Sequence, residues 1–212
     1  MVPASPYRFA ACAALRTHSP SSCIMSMTLA LWHADHVNFG RLLNLLENQL
    51  VIFHDGDSPD YTLMLDIIYY MTRYSDVVHH PKEDCVFEII KSRELRTTTQ
   101  VDELCAQHTA LGRAASDLAR DLDDIVNGSI TARERVETKA RDYVRLFREH
   151  MRMEETQMLP LAARLLTEKD WAGVDERVRH LEDPLFGPNT EARFVALRDE
   201  IRREAQTATL RR

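Results

Sequence analysis

The sequence predicts an all-α fold, an antiparallel up-down-up-down four-helix bundle with short C-terminal helical appendages. Three observations carry the prediction. Apolar residues recur in alternating steps of three and four along four long stretches. Gly and Pro are few, six and eight, and most of the prolines fall near the ends or in loops. The connections between the four stretches are short, which makes successive helices antiparallel neighbours. A length of 212 residues, 44% of them apolar and 28% charged, suits one globular domain. The 27 basic and 33 acidic residues give a net charge of −6, which argues against a nucleic-acid partner. No apolar run approaches the roughly 18 to 20 residues that span a bilayer, which argues against a membrane protein. Four cysteines, Cys12, Cys23, Cys85 and Cys105, show no close pairing. Free thiols in a reducing cytoplasm fit best.

Residues 1–26 have no sustained period and are expected to form a disordered N-terminal extension. The bundle is expected over 27–166 and the C-terminal appendage over 167–212. In the first helix the seam reads Leu29, Trp32, His36, Phe39, Leu43, Leu46, Leu50 and Phe53, ending at the turn chemistry of HDGDSP. The second runs from about Asp60 to Ser92. Pro81 lies inside it and cannot donate to the carbonyl of Val77, so a kink or local widening is expected. The third is introduced by Thr97 to Thr99, with Thr99 and Asp102 spaced as a capping box, and Asn127 and Gly128 stop it. The fourth begins at Thr131, spaced as a capping box with Glu134, and its seam includes Tyr143, Phe147, His150, Glu154 and Met158. Two shorter helices, Glu168 to His180 and Glu191 to Ala205, flank the Pro/Gly loop LEDPLFGPNT.

Each long helix carries one seam histidine: His36, His79, His108 and His150. Counting along antiparallel helices from the connections places all four at one height. His36 and His79 lie about 26 Å from their shared turn at 1.5 Å per residue. His79 and His150 each have a glutamate four residues on, Glu83 and Glu154, on the same helix face. Two carboxylates and four imidazoles inside a small bundle are too costly without partners. Bound cations would balance the charge and take the imidazoles as ligands. Six ligands of mixed nitrogen and oxygen type suit two metal ions with bridging carboxylates. This ligand set favours iron and leaves zinc and manganese open. Glu three residues before His, the other di-iron pattern of helical bundles, is absent. His80 lies 100° from His79 and is expected behind the ligands or at the surface rather than among them, His33 and Glu155 are weighed as additional ligands, and Tyr143 is expected in the core.

The segments LWHADHVNFGRLLNLLE, YSDVVHHPKEDCVFEII, CAQHTALG and REHMRMEETQMLPLAARLL, in this order, resemble the hemerythrin-like family, the HHE cation-binding domain. The resemblance spans roughly Met27 to Leu166. It implies a four-helix bundle with a non-haem di-iron centre that binds or reacts with oxygen, peroxide or nitric oxide, or that handles iron. Small diatomic ligands or peroxide are the expected partners, together with a protein client. The sequence departs from oxygen carriers of the family, which have HxxxH on the third helix. Here Leu104 and Gly112 stand four residues from His108, which favours a redox-active or sensing centre over reversible oxygen carriage. A second reading is a metal- or redox-dependent switch read by a separate partner. No hydrolytic or transferase motif is present, so any enzymatic activity is expected to be metal redox chemistry.

Overall fold

The computed structural model describes residues 20–55, 57–178 and 181–210, and among these every regular element is helical. Helix α1 is Pro20–His54. The second bundle helix is continuous but changes winding, from α2 (Tyr61–Tyr70) through a π-helical segment (Met71–His79) to α3 (His80–Arg93). Helix α4 is Thr98–Val126. The fourth also changes winding, from α5 (Arg133–Met153) through a π segment (Glu154–Met158) to α6 (Leu159–Leu165). The appendages are α7 (Glu168–Arg177) and α8 (Val195–Leu210). Residues 20–26, expected in the extension, continue the first helix. Residues 1–19 and His180 lie outside the described residues.

Side-chain bonds between the helices fix the antiparallel order. Arg148 reaches Asn44 and Glu47 while Glu155 reaches His36, so α1 and the fourth helix run in opposite directions. Asp84 with His108 and Lys91 with Asp102 do the same for α3 and α4. For α4 and α5 the buried Asp121 carboxylate accepts from Arg135 and Lys139, and Gln107 meets His150. The bundle with its short C-terminal helices is the architecture expected from the period of the apolar residues.

Local chemistry explains the helix ends and corrects two expected caps. Asp60 accepts from the Leu63 N–H at 2.9 Å and starts α2. Gly128, at φ +85°, follows the end of α4, a conformation that costs Gly little. Neither Thr99 nor Thr131 forms its expected capping box. Helix α4 instead starts at Thr98, two residues earlier, after Thr97, and α5 follows Ala132, neither with a side-chain cap. A reciprocal capping box does form at the start of α7, between Thr167 and Asp170.

Both π segments end just before a proline. At the expected widening the His80 N–H bonds the Ser75 carbonyl, and Pro81 follows without a donor. In the fourth helix the Leu159 N–H bonds the Glu154 carbonyl and Pro160 follows. Each segment thus skips one residue of α-helical pairing where proline cannot supply it.

The apolar core is divided into two clusters. One contains Phe39, Leu46, Ile68, Leu118 and Phe147, and Leu185, Phe194 and Leu197 of the C-terminal segment pack on it. The other contains Trp32, Phe87, Ile90, Leu104 and Met158, with Trp171 and Val174 of α7. Along every bundle helix the predicted ligands fall at the junction of these two clusters. His36 lies between Trp32 and Phe39, and His108 between Leu104 and Leu111. The C-terminal loop is tied down by Asp183, which accepts from the buried Tyr70 hydroxyl at 2.9 Å and from two backbone N–H groups of its own turn.

Candidate metal centre

All six residues expected from the sequence, His36, His79, Glu83, His108, His150 and Glu154, are buried and converge between the two apolar clusters. Glu154 is 0% exposed and Glu83 1%. The carboxylates divide their oxygens between two groups of imidazoles. Glu83 Oε1 lies 2.7 Å from His79 Nε2 and 3.4 Å from His36 Nε2, while its Oε2 lies 3.3 Å from His108 Nε2. Glu154 Oε2 lies 3.3 Å from both His36 and His150, and its Oε1 3.5 Å from His108. Two ligand groups result, His36, His79 and Glu83 on one side and His80, Glu83, His108 and His150 on the other. Glu83 belongs to both.

The oxygens of both glutamates and Nε2 of His108 and His150 are buried without hydrogen-bond partners among the described residues. His36 Nε2 and His79 Nε2 point at each other across 3.1 Å, and the Trp32 indole N–H also reaches His36 Nε2, at 3.2 Å. Several buried polar atoms aimed at common points without donors are costly in any helical core. Divalent ions of the class bound by mixed imidazole and carboxylate sites would satisfy them together.

A second ring of polar groups holds the imidazoles from outside. Nδ1 of His36 meets Glu155 at 2.8 Å, that of His79 meets Asp35 at 3.0 Å, and that of His108 meets Asp84 at 2.8 Å. His150 Nδ1 meets the Gln107 carbonyl oxygen at 3.2 Å. An acceptor at Nδ1 keeps the proton there and turns the Nε2 lone pair inward, the state a metal ligand needs. Sequence reasoning left most of this ring unassigned, although a signal was present. Each inward glutamate is followed by a second acid, Asp84 or Glu155, which turns away and supports a histidine of a neighbouring helix. Glu155, weighed as a ligand, serves in this way, and His33 bonds it at 2.9 Å from an exposed position outside both ligand groups.

His80 is buried, not at the surface. The π winding before Pro81 brings it inward beside His79, stacked on His108 with ring centroids 4.2 Å apart and planes within 8°. Its nitrogens meet Ser75 Oγ at 3.0 Å and Asp76 at 3.2 Å. Position 112 contributes no ligand. The Gly112 Cα faces the Asp76 carboxylate, and an added Cβ would sit 3.4 Å from it. Tyr143 packs in the core as expected. Cys85 and Cys105 are free thiols, and burial and Asp84 push Cys105 up to about 11.

Without a cation, protons fill the role of the positive charge. Burial opposes protonation of His36, but Glu154 and Glu83 outweigh it and raise the imidazole to about 10. Burial is likewise overcome at His108, raised to about 12 by Asp84 and the two glutamates, and at His79, raised to about 8 chiefly by Glu83. Burial lowers His150 to about 4 and takes His80 well below the usual range.

Openings reach the centre from more than one side. A cavity of about 180 Å³ is lined by Trp32, Asp35, Tyr74, His79 and Glu83 among others. On the other side a cleft of about 600 Å³ reaches His80 and His108 past Asp76 and Gly112. No helix among the described residues is long and apolar enough to cross a membrane. No curated protein and no solved structure matches the chain. The family model for the hemerythrin HHE cation binding domain matches residues 27–162, well over half the chain. With that match added to the bundle and its buried histidine and glutamate clusters, the chain belongs to the hemerythrin HHE cation-binding family.

Proposed function

We propose that this protein holds a non-haem di-iron centre that binds or reacts with oxygen, peroxide or nitric oxide. The reading is carried by the division of Glu83, with one oxygen toward His36 and His79 and the other toward His108. A carboxylate shared in this way suits two ions side by side better than one. His36 and His79 would hold one ion, and His108 and His150 the other with His80 beside them, Glu83 and Glu154 being common to both. When bound, iron supplies one-electron redox chemistry and open coordination positions for a small ligand.

The chain's own residues prepare the site for that chemistry. Asp35, Asp84, Glu155 and Gln107 orient the imidazoles. Phe39, Phe87 and Phe147 pack against the histidine rings and keep bulk water from the inner face. Zinc and manganese share the ligand preference, so spectroscopy decides among the metals. Protein reconstituted anaerobically with ferrous iron is expected to develop new absorption on exposure to oxygen or nitric oxide. An unchanged spectrum with both gases would refute the proposal.

A further inference from the structure

We infer that the cavity beside His79 is a binding site for a short-chain alkyl hydroperoxide, which the centre reduces to the alcohol. The inference rests on the reading of the site as an iron centre and narrows its substrate.

The cavity, of about 180 Å³, is enclosed by residues of α1, of the second bundle helix and of the C-terminal appendage, and His79 and Glu83 belong to its lining. A cavity of about 150 Å³ accommodates a molecule as large as benzene, whereas a water-sized molecule needs roughly 30 Å³. Hydrogen peroxide or a diatomic molecule therefore leaves most of this space unfilled, and a hydroperoxide with about four carbons fits it.

The charged groups of the lining are already engaged. Asp35 Oδ2 meets His79 Nδ1 at 3.0 Å and Glu83 Oε1 meets His79 Nε2 at 2.7 Å, so both carboxylates gather at the imidazole. Lys82 and Asp175 pair with each other at 2.7 Å. The Trp32 indole N–H is taken up by His36. Apart from the Tyr74 phenol, what remains to meet a ligand is apolar: the Trp32 ring, Leu31, Val78, Val178 and Leu181.

The cavity thus offers polar contact at the imidazole and apolar contact elsewhere, which matches a peroxide group carried on a short alkyl group. Burying each carbon of that group strengthens binding about fourfold. The cleft at His80 and His108 lacks such walls, being lined largely by Asp76, Asp84, Arg113, Asp117 and Arg120. Val178 and Leu181 come from the C-terminal appendage, so that segment sets the size of the molecule admitted.

The reaction balances on the two ferrous ions of the proposed centre. Cleavage of the O–O bond takes one electron from each ion and two protons from solvent. It gives one alcohol, one water and two ferric ions.

The test has two arms, each on the full chain in the wild type and in Val178→Phe and Leu31→Trp, which narrow the cavity from two different elements. The first leaves iron out and follows saturation transfer in NMR from the protein to tert-butyl alcohol, the product and a redox-inert probe. Transfer is expected in the wild type and is expected to fall at least tenfold in the variants. The second loads ferrous iron anaerobically and compares the rates of iron oxidation by tert-butyl hydroperoxide and by hydrogen peroxide. The ratio of the first rate to the second is expected to fall at least tenfold in the variants. No transfer in the wild type, a smaller fall of transfer or of the ratio in both variants, or iron oxidised by hydrogen peroxide alone overturns the inference and leaves the iron reading standing. Iron that is not taken up, or that neither peroxide oxidises, overturns both.

Discussion

At the scale of single residues, the centre is a contest between protons and metal for the same nitrogens. His36 and His108, raised to about 10 and 12, hold protons at pH 7 when no cation is bound. Metal uptake must displace them, so binding is expected to release protons into a weakly buffered solution, and uptake without release would contradict the protonation pattern. The sign for stability follows. A histidine raised above its unfolded value near 6.5 contributes stability that is complete below that pH and is lost as pH rises through the folded value. The metal-free protein should therefore lose stability progressively from about pH 6.5 through 10 and on toward 12, and the gain in melting temperature on adding metal should grow over that range.

Asp84 offers a separate test, because its carboxylate is partly exposed yet fixes His108. Asp84→Ala is expected to weaken metal affinity by roughly 10- to 100-fold with little change in fold. Competition with a chelator measures it, and unchanged affinity would show that the outer acids are idle.

The candidate ligands were legible in the sequence because a histidine on an apolar seam stands out against its neighbours. The burial of His80 was not. Its position follows from winding that departs from 100° per residue, and a projection at fixed pitch turns it away.

At the scale of helices, Pro81 and Pro160 explain why both segments bearing an HxxxE pair depart from α-helical pairing. The first departure was foreseeable from Pro81 inside a long periodic stretch. The second carried the same signal at Pro160, six residues beyond Glu154. The capping boxes failed for another reason. A Ser/Thr-x-x-acid spacing is common, and which copy closes depends on where packing starts the helix, as at Thr167 rather than Thr99 or Thr131.

Asp121 links α4 to α5 by accepting from Lys139 and from both arms of Arg135. Burial works against its charge, but these cations hold the carboxyl below its ordinary value. Asp121→Asn is expected to cost about 2 kcal/mol, as for hydrogen bonds to a charged group. The sign here is opposite to that of the histidines. The difference between wild type and variant should be complete above about pH 4 and shrink as pH falls through the depressed value. Chemical denaturation at two pH values measures it, and a pH-independent difference would contradict the ion-pair assignment.

At the scale of the whole molecule, a polar layer cuts the core in two, and each half is completed by a different part of the C-terminal segment. Trp171 of α7 seals the half containing Phe87, and Phe194 and Leu197 seal the half containing Phe39. The bundle was readable from its periodicity, whereas this division required all four helices in register. A fold built around such a layer gains stability from whatever neutralises it. The central claim is that the shared glutamates hold two ions, and the metal-to-protein ratio of the reconstituted chain tests it most directly. The account predicts about two iron ions per chain, from the ligand count, falling to a small fraction of that in the His79→Ala, His150→Ala double variant. Stoichiometric metal retained by that variant would contradict it.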